Sequence, residues 1–410
     1  MRKKTHPSES YLLITVSGLD SPGITSELMK ILSHYPAQLL DISQAVIQKL
    51  LSLSFLVFFP AQNSEQIPSF IQALEEKSKT LGLKISSENL IPSPTLRSTT
   101  SPHPHYAVTL IADQISAQAF SRVADVLARS NVNIDTIKRL SDESFSCVEM
   151  QISTQKPIDP LILRKELLEI ATQEAVDIAL QTEGLYRRSK RLVVLDMDST
   201  LIQGEVIDEL AREKGVYDEV SALTHEAMLG HLDYDTSLKL RCEKLKGLTV
   251  AELEKVYERI QITPGGSDLI KVLKKLGYKV AVISGGFTFM ADRLKSRLGL
   301  DFAYANTLEI RDQKLTGKVI PPIVNAKKKS DLLDALAQQE GISLDQVIAI
   351  GDGANDLLML EKAGLGIAFN AKPVVKQSAD LALSQKNLKS ILFLLGMTSR
   401  EIHQVITESH

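Results

Sequence analysis

Three short apolar runs in the second half of the chain each climb to a polar cluster and stop there. Val193-Val194-Leu195 ends in Asp196-Met197-Asp198. Val280-Ala281-Val282-Ile283 ends in Ser284-Gly285-Gly286. Val347-Ile348-Ala349-Ile350 ends in Gly351-Asp352-Gly353-Ala354-Asn355-Asp356. Short runs rich in β-branched residues and bounded by polar turns read as buried parallel strands. Helical segments separate them, so an alternating α/β chain with a parallel sheet follows. Ligands of such sheets bind beyond the carboxyl ends of the strands, which gathers all three clusters at one edge.

The clusters suit a phosphate and a hard cation. Asp196 and Asp198, two residues apart, repel each other unless a cation or a shared proton intervenes. Asp352 and Asp356 bring further carboxylates to the same edge, and an oxygen-only set of this size suits Mg²⁺. No Cys or His cluster exists to hold zinc. Ser284 offers a hydroxyl, and Gly285 and Gly286 let backbone N–H groups approach an anion at the next helix start. Lys327-Lys328-Lys329 follows Asn325, which reads as a helix cap. Cations are unfavourable in a first helical turn, so the run points to an anion nearby.

The first half follows another pattern, twice. Strand Tyr11–Ser17 leads through Gly18-Leu19-Asp20-Ser21-Pro22-Gly23 into a helix striped by Ile24, Leu28 and Leu32, with Ser21 as cap and Pro22 first in the helix. Strands near Leu39–Lys49 and Leu51–Phe59, a helix over Ile67–Leu81 and a strand at Leu83–Leu90 complete a βαββαβ order. After a Ser/Thr/Pro-rich linker over 91–104 the order repeats. Its strands are Tyr106–Ala112, Val132–Leu140, Ser144–Ser153 and Val176–Thr182, and its helices Ser116–Ser130 and Ile158–Ala171. Two tandem small domains are expected.

Composition excludes several classes. The 410 residues carry 47 basic against 50 acidic side chains, a net charge of -3, and no Trp. That balance offers no polyanion-binding surface, so no nucleic acid is expected. The most apolar stretch, Leu50–Phe59, is too short to cross a bilayer, so no membrane is expected either. No signal peptide follows the basic start, and Cys147 and Cys242 suit buried thiols in a reducing compartment, so the expected location is cytoplasmic.

Taken together, Asp196-Met197-Asp198-Ser199-Thr200, Ser284-Gly285-Gly286, a lysine and Gly351-Asp352-Gly353-Ala354-Asn355-Asp356 resemble the haloacid dehalogenase superfamily, and within it the phosphoserine phosphatases. Element order, with Gly18-x-Asp20-x-x-Gly23, resembles ACT domains, regulatory modules that pair side by side and often bind amino acids. Gly18 and Gly23 also have a plain reading as turn geometry, and the second copy has Ala112-Asp113-Gln114-Ile115-Ser116 at that place. The implied architecture is α/β. It has ACT-like domains at 8–91 and 105–183, each α+β and ferredoxin-like. A Rossmann-like phosphatase domain follows at 190–410, with a helical cap at about 208–263.

The resemblance implies a role for each residue. Asp196 is the expected nucleophile and Asp198 the acid–base. Asp196, the Asp198 carbonyl and Asp352 are expected to hold Mg²⁺, supported by Asn355 and Asp356. Ser284, Gly285 and Lys329 are expected at the phosphate; Lys327, in Asn325-Ala326-Lys327, is the alternative lysine. Glu205 and Arg241 are expected on the ammonium and carboxylate of the serine part, with Met228 and Tyr234 as pocket wall or cap core. The expected function is hydrolysis of O-phospho-L-serine in serine biosynthesis, by a homodimer paired through residues 8–182 with an amino-acid effector. The alternatives are a related phosphatase or phosphotransferase on another small ester, and a catalytically silent amino-acid sensor.

Overall fold

The computed structural model describes residues 9–91, 105–142, 145–154, 156–228 and 231–408. Beyond residue 91, the linker read over 91–104 lies outside the described residues, as does the side chain of Met228. The chain divides into two compact units, Met1–Ser101 and Pro102–His410.

The first unit holds strands β1 (Ser10–Leu19), β2 (Gln38–Ile47), β3 (Leu50–Phe59) and β4 (Lys84–Leu90) in the antiparallel order β2-β3-β1-β4. Helices α1 (Ile24–Leu32) and α2 (Ile67–Thr80) bury Ile24, Leu28, Leu32, Phe70 and Leu74 against Leu12, Ile14, Val16, Leu53, Phe55 and Val57. Every second residue of β1 faces this core, as a one-sided sheet requires. Helix α1 begins two residues later than expected: Ser21 and Pro22 stay in the turn, and Gly23, at φ 98°, stands before Ile24. Only glycine takes that conformation without strain. Gly18 has a different constraint, because a Cβ there would strike Leu83.

The second unit opens with the repeat: β5 (His105–Ala112), α3 (Ala117–Arg129), β6 (Val132–Asp142), β7 (Ser146–Thr154), α4 (Pro160–Glu174) and β8 (Asp177–Thr182), in sheet order β6-β7-β5-β8. Ser116 and Asp159 cap the two helices by accepting from the amides of Ala119 and Leu161. A short helix, α5 (Leu185–Arg188), leads into the large sheet.

That sheet has seven strands, ordered β12-β11-β10-β9-β13-β14-β15. They are β9 (Leu192–Leu195), β10 (Lys279–Phe287), β11 (Phe302–Arg311), β12 (Lys314–Ile320), β13 (Val347–Gly351), β14 (Leu365–Phe369) and β15 (Leu381–Leu383). All neighbours are parallel except the β11–β12 hairpin. Strand β9 lies at the centre, with Leu195 level with Val282 on one side and Ile350 on the other. Its side chains alternate between two cores. Val193 and Leu195 pack with α10 (Gly266–Lys275), α11 (Thr288–Leu298), α15 (Ser390–Leu394) and α16 (Ser399–Thr407). Leu192 and Val194 pack with α12 (Ala326–Gln339), α13 (Leu357–Lys362) and α14 (Pro373–Ser378). Burial on both faces explains why these strands are apolar at consecutive positions.

Between β9 and β10 stand four cap helices, α6 (Val206–Lys214), α7 (Tyr217–Met228), α8 (Tyr234–Lys244) and α9 (Val250–Arg259). The hairpin carries the cap: Gly247 N–H donates to Leu315 O, Leu315 N–H to Leu248 O and Val250 N–H to Gln313 O.

The second repeat is joined to the phosphatase-like part. Ile111, Leu140, Phe145, Cys147 and Ala179 share one core with Phe393 and its neighbours, and the rings of Phe145 and Phe393 meet edge-on at 5.3 Å. Asp177, on edge strand β8, accepts from the amides of Ser384 (2.7 Å) and Gln385 (3.1 Å), just past β15. Arg164 on α4 bonds Asp380 at 3.0 Å.

Candidate active site

The centre forms where β9, β10 and β13 end together. Asp196 directly follows β9, and its amide donates to Ile350 O on β13 at 2.8 Å. The chain then makes a tight turn over Met197–Leu201, with Ser199 at φ 56° and Ile202 N–H bonded to Met197 O. This turn returns Asp198 to the strand end.

Asp196, Asp352 and Asp356 each present an oxygen within 4.8 Å of the others. Lys329 is fully buried and lies 2.8 Å from Asp196 and 2.7 Å from Asp356. Burial alone would drive the lysine towards its neutral form, but the two carboxylates prevail and raise its pKa. Lys327, by contrast, points outward at 81% exposure and pairs with Asp331. One helical turn thus sends one lysine into the site and its neighbour two residues back into water.

Burial pushes the Asp196 pKa well up, Asp356 and Asp198 add to the shift, and Lys329 opposes it. Asp352 is pushed up to about 7, first by burial and then by Asp356 and Glu205. A set of carboxylates this crowded calls for more positive charge than one ammonium supplies. Moreover, Asp196 Oδ1 is buried and shares its ammonium partner, Lys329 at 2.8 Å, with Asp356. An all-oxygen set that has a single ammonium between its carboxylates fits a hard divalent cation.

Asp198 stands apart from that trio. Its carboxylate accepts from Val206 N–H at 2.8 Å and Ser284 Oγ–H at 3.1 Å. Burial, then the charge of Glu205, pushes its pKa up to about 7. Ser284 in turn accepts from Gly286 N–H at 2.8 Å. A Cβ on Gly286 would strike Asp198, and one on Gly285 would strike the Tyr234 hydroxyl, so both positions exclude larger residues. Asn355 sits half-buried in the turn Ala354–Asp356, its amide oxygen over Gly353.

The two residues read as gripping the serine part lie differently. Glu205 is exposed at the start of α6 and accepts from Ser199 Oγ–H at 2.8 Å. Arg241 is half-buried on α8; its guanidinium donates within the cap to Ser237 O (3.3 Å) and Thr224 Oγ1 (3.5 Å). Tyr234, on the same helix, feels the charges of Lys329, Arg241, Asp196 and Asp198 together.

Three more side chains, given no role by the sequence reading, border the site. Thr200 donates to Asp352 at 3.1 Å. Asn306, fully buried on β11, donates to Gly285 O at 2.7 Å and accepts from Val324 N–H at 2.8 Å. Asp235 on α8 accepts from Asn325 Nδ2 at 3.1 Å. Thr200 was detectable as the hydroxyl closing the Asp-x-Asp-Ser-Thr turn. Nothing in the local pattern marks the other two.

Residues 190–364 match the family of haloacid dehalogenase-like hydrolases, and 10–88 and 104–181 each match an ACT domain. The phosphoserine phosphatase SerB2 of Mycobacterium tuberculosis is 40% identical over 97% of this chain and 95% of its own. The chain belongs to the phosphoserine phosphatase family. The phosphoserine phosphatase of Streptomyces coelicolor is 42% identical over 97% of this chain and 94% of its own. Among solved structures, a haloacid dehalogenase family hydrolase from Salmonella enterica serovar Typhi superposes with a TM-score of 0.64 at 33% identity, covering 71% of this chain and 98% of its own. The family likeness covers both ACT repeats and the catalytic part in one register.

Proposed function

We propose that the protein hydrolyses O-phospho-L-serine to L-serine and inorganic phosphate through an aspartyl phosphate on Asp196. The observation that carries this reading is the buried meeting of Asp196, Asp352, Asp356 and Lys329 beside an Asp198 held by Ser284. A carboxylate oxygen of Asp196 attacks phosphorus, and the P–O bond to the serine oxygen breaks. Asp198 gives its proton to that oxygen; a pKa of about 7 leaves it protonated in much of the population at neutral pH. Asp198 then takes a proton from the water that attacks the aspartyl phosphate, which releases phosphate and restores Asp196.

Lys329, Ser284 and the Gly285 backbone bind the phosphoryl oxygens, since phosphoryl transfer depends on positioning and charge neutralisation. Mg²⁺, when bound, neutralises charge between nucleophile and phosphate. Asp196, Asp352 and the Asp198 carbonyl would hold it, backed by Asp356 and Asn355. Glu205 holds the substrate ammonium, and Arg241 turns from its cap partners to clamp the carboxylate as a fork.

Phosphate release from a panel of esters, with and without Mg²⁺, tests the reading. Mg²⁺-dependent preference for O-phospho-L-serine over phosphothreonine and sugar phosphates is expected. Turnover of other esters with phosphoserine ignored would discard the roles of Glu205 and Arg241 while keeping the Asp196 chemistry.

The same reading makes the enzyme a cytoplasmic homodimer, paired through the ACT repeats and controlled by an amino acid. Edge strand β2 supports this: Leu39, Leu40, Ile42, Val46 and Ile47 are all exposed on it. An apolar edge strand is a template for a second chain. Light scattering should give the dimer mass, and Ile42→Lys should give the monomer. A monomeric parent protein would count against the dimer.

A further inference from the structure

The start of α8 touches both elements that face the phosphoryl group. Tyr234, its first residue, donates its hydroxyl to Gly285 O at 3.2 Å. Asp235, the second, accepts from Asn325 Nδ2 at 3.1 Å. Gly285 lies in the Ser284–Gly286 loop. Asn325 caps α12, its side chain also accepting from Lys328 N–H, and the next residue of that helix is Lys329. Two consecutive cap residues therefore reach the loop and the lysine helix, one each.

From below, Asn306 ties the same two elements together, donating to Gly285 O and accepting from Val324 N–H. The Gly285 carbonyl thus has both lone pairs used, one by the core and one by the cap. Held this way its direction is fixed, and the amide of Gly286 donates to Ser284 Oγ at 2.8 Å. The opposite end of the cap is attached differently, by the backbone bonds to Leu315 and Gln313 on the hairpin. A backbone-bonded end is the fixed side of a moving part. At the other end the start of α8 is held by two single side-chain bonds, an attachment more easily released than a backbone ladder.

We propose that Tyr234 and Asp235 are the latch of the helical cap. They are positioning residues: they hold the start of α8 against the Ser284–Gly286 loop and the Asn325 cap of α12. Arg241 lies on the same helix, so the latch holds the leaving-group contact in place over a phosphoryl site that is already formed. This rests on the phosphoserine reading above.

The test uses the full chain and two esters. O-phospho-L-serine gives Glu205 and Arg241 something to hold, so its turnover uses closure. p-Nitrophenyl phosphate offers the same phosphoryl group without an ammonium or carboxylate, so its turnover does not. Tyr234→Phe and Asp235→Ala should each lower kcat/KM for phosphoserine about five- to tenfold, the worth of one hydrogen bond. The aryl ester should change less than about twofold. Asp235→Asn keeps an acceptor oxygen and should restore most of the loss seen with alanine. Equal losses on both esters would overturn the latch and leave only local packing. So would an Asp235→Asn variant as impaired as Asp235→Ala. A parent enzyme that cleaves the aryl ester and ignores phosphoserine overturns the substrate reading instead. The same variants would then be compared on the ester it prefers, where an unchanged kcat/KM overturns the latch.

Discussion

The two ACT repeats share an element order and a sheet order and differ in what lies on the outer face of the sheet. In the first, the outward positions of β1 and β3 carry Thr15, Ser17, Ser52 and Ser54 at one end and Tyr11, Leu13, Leu56 and Phe58 at the other, and the core under the helices is self-contained. In the second, the outward positions of β5 and β7 include Ala107, Thr109, Ile111, Cys147 and Glu149, which are all buried. Ile111 and Cys147 belong to the same core as Phe393. Behind them Arg187 is buried against Glu149, Glu183 (2.6 Å) and Gln181 (3.1 Å). One copy has a core of its own, and the other shares a core with the catalytic part. The lesson is that a repeat's role is written on the face its own helices do not cover.

Truncation tests this difference most severely. A chain starting at residue 102 should stay active, with a Tm within about 3 °C of the parent's main transition. A chain starting at residue 190 uncovers Phe393 and the β15 edge, and should aggregate or melt at least about 10 °C lower. Similar behaviour of the two would break the comparison. Next, Arg187→Ala leaves the buried Glu149 carboxylate without this cation. It should cost about 3–5 kcal/mol in urea unfolding of the second unit. Lys77→Ala, which removes a surface partner of Glu27 in the first repeat, should shift nothing measurable.

A core truncation should be equally costly but local. Phe70→Ala should cost about 3–5 kcal/mol, and calorimetry should show only the transition of residues 9–91 lowered, with phosphatase activity kept. The smallest effect concerns pH. Burial raises the Asp177 pKa, against the pull of the Ser384 and Gln385 amides. The folded joint therefore binds this proton more tightly than the unfolded chain does. Its contribution is fullest below the ordinary aspartate pKa of about 4 and is lost as pH rises through the raised value. Asp177→Asn should flatten the Tm-against-pH profile above pH 4 while changing stability by about 1 kcal/mol or less.

Much of this was readable in the chain. The three motif strands announce themselves because burial on both faces makes them continuously apolar and catalysis makes their ends polar. The stripe Ile24, Leu28 and Leu32 and the twofold βαββαβ order are equally local signals. What escapes is whatever depends on a partner far along the chain. Asn306, Asp235 and Arg164 are ordinary polar residues until Gly285, Asn325 and Asp380 are beside them. Strand β15, three residues long, is too short for any periodicity to show. Lys329 and Lys327 are indistinguishable as letters in a lysine run. Only the rotation of α12 makes one buried and the other solvated.

The central place of β9 has a consequence for how the molecule is made. Each small repeat closes its own sheet within its own stretch of sequence. The strand before Asp196 cannot: its neighbours are Lys279–Val282 and Val347–Ile350, both synthesised much later. On the ribosome both repeats can be finished while β9 is still waiting, its four apolar residues unpaired. Asp196 is thus among the first residues of the site to emerge and among the last to find its setting, and the interval is when a nascent chain is most exposed to misassembly.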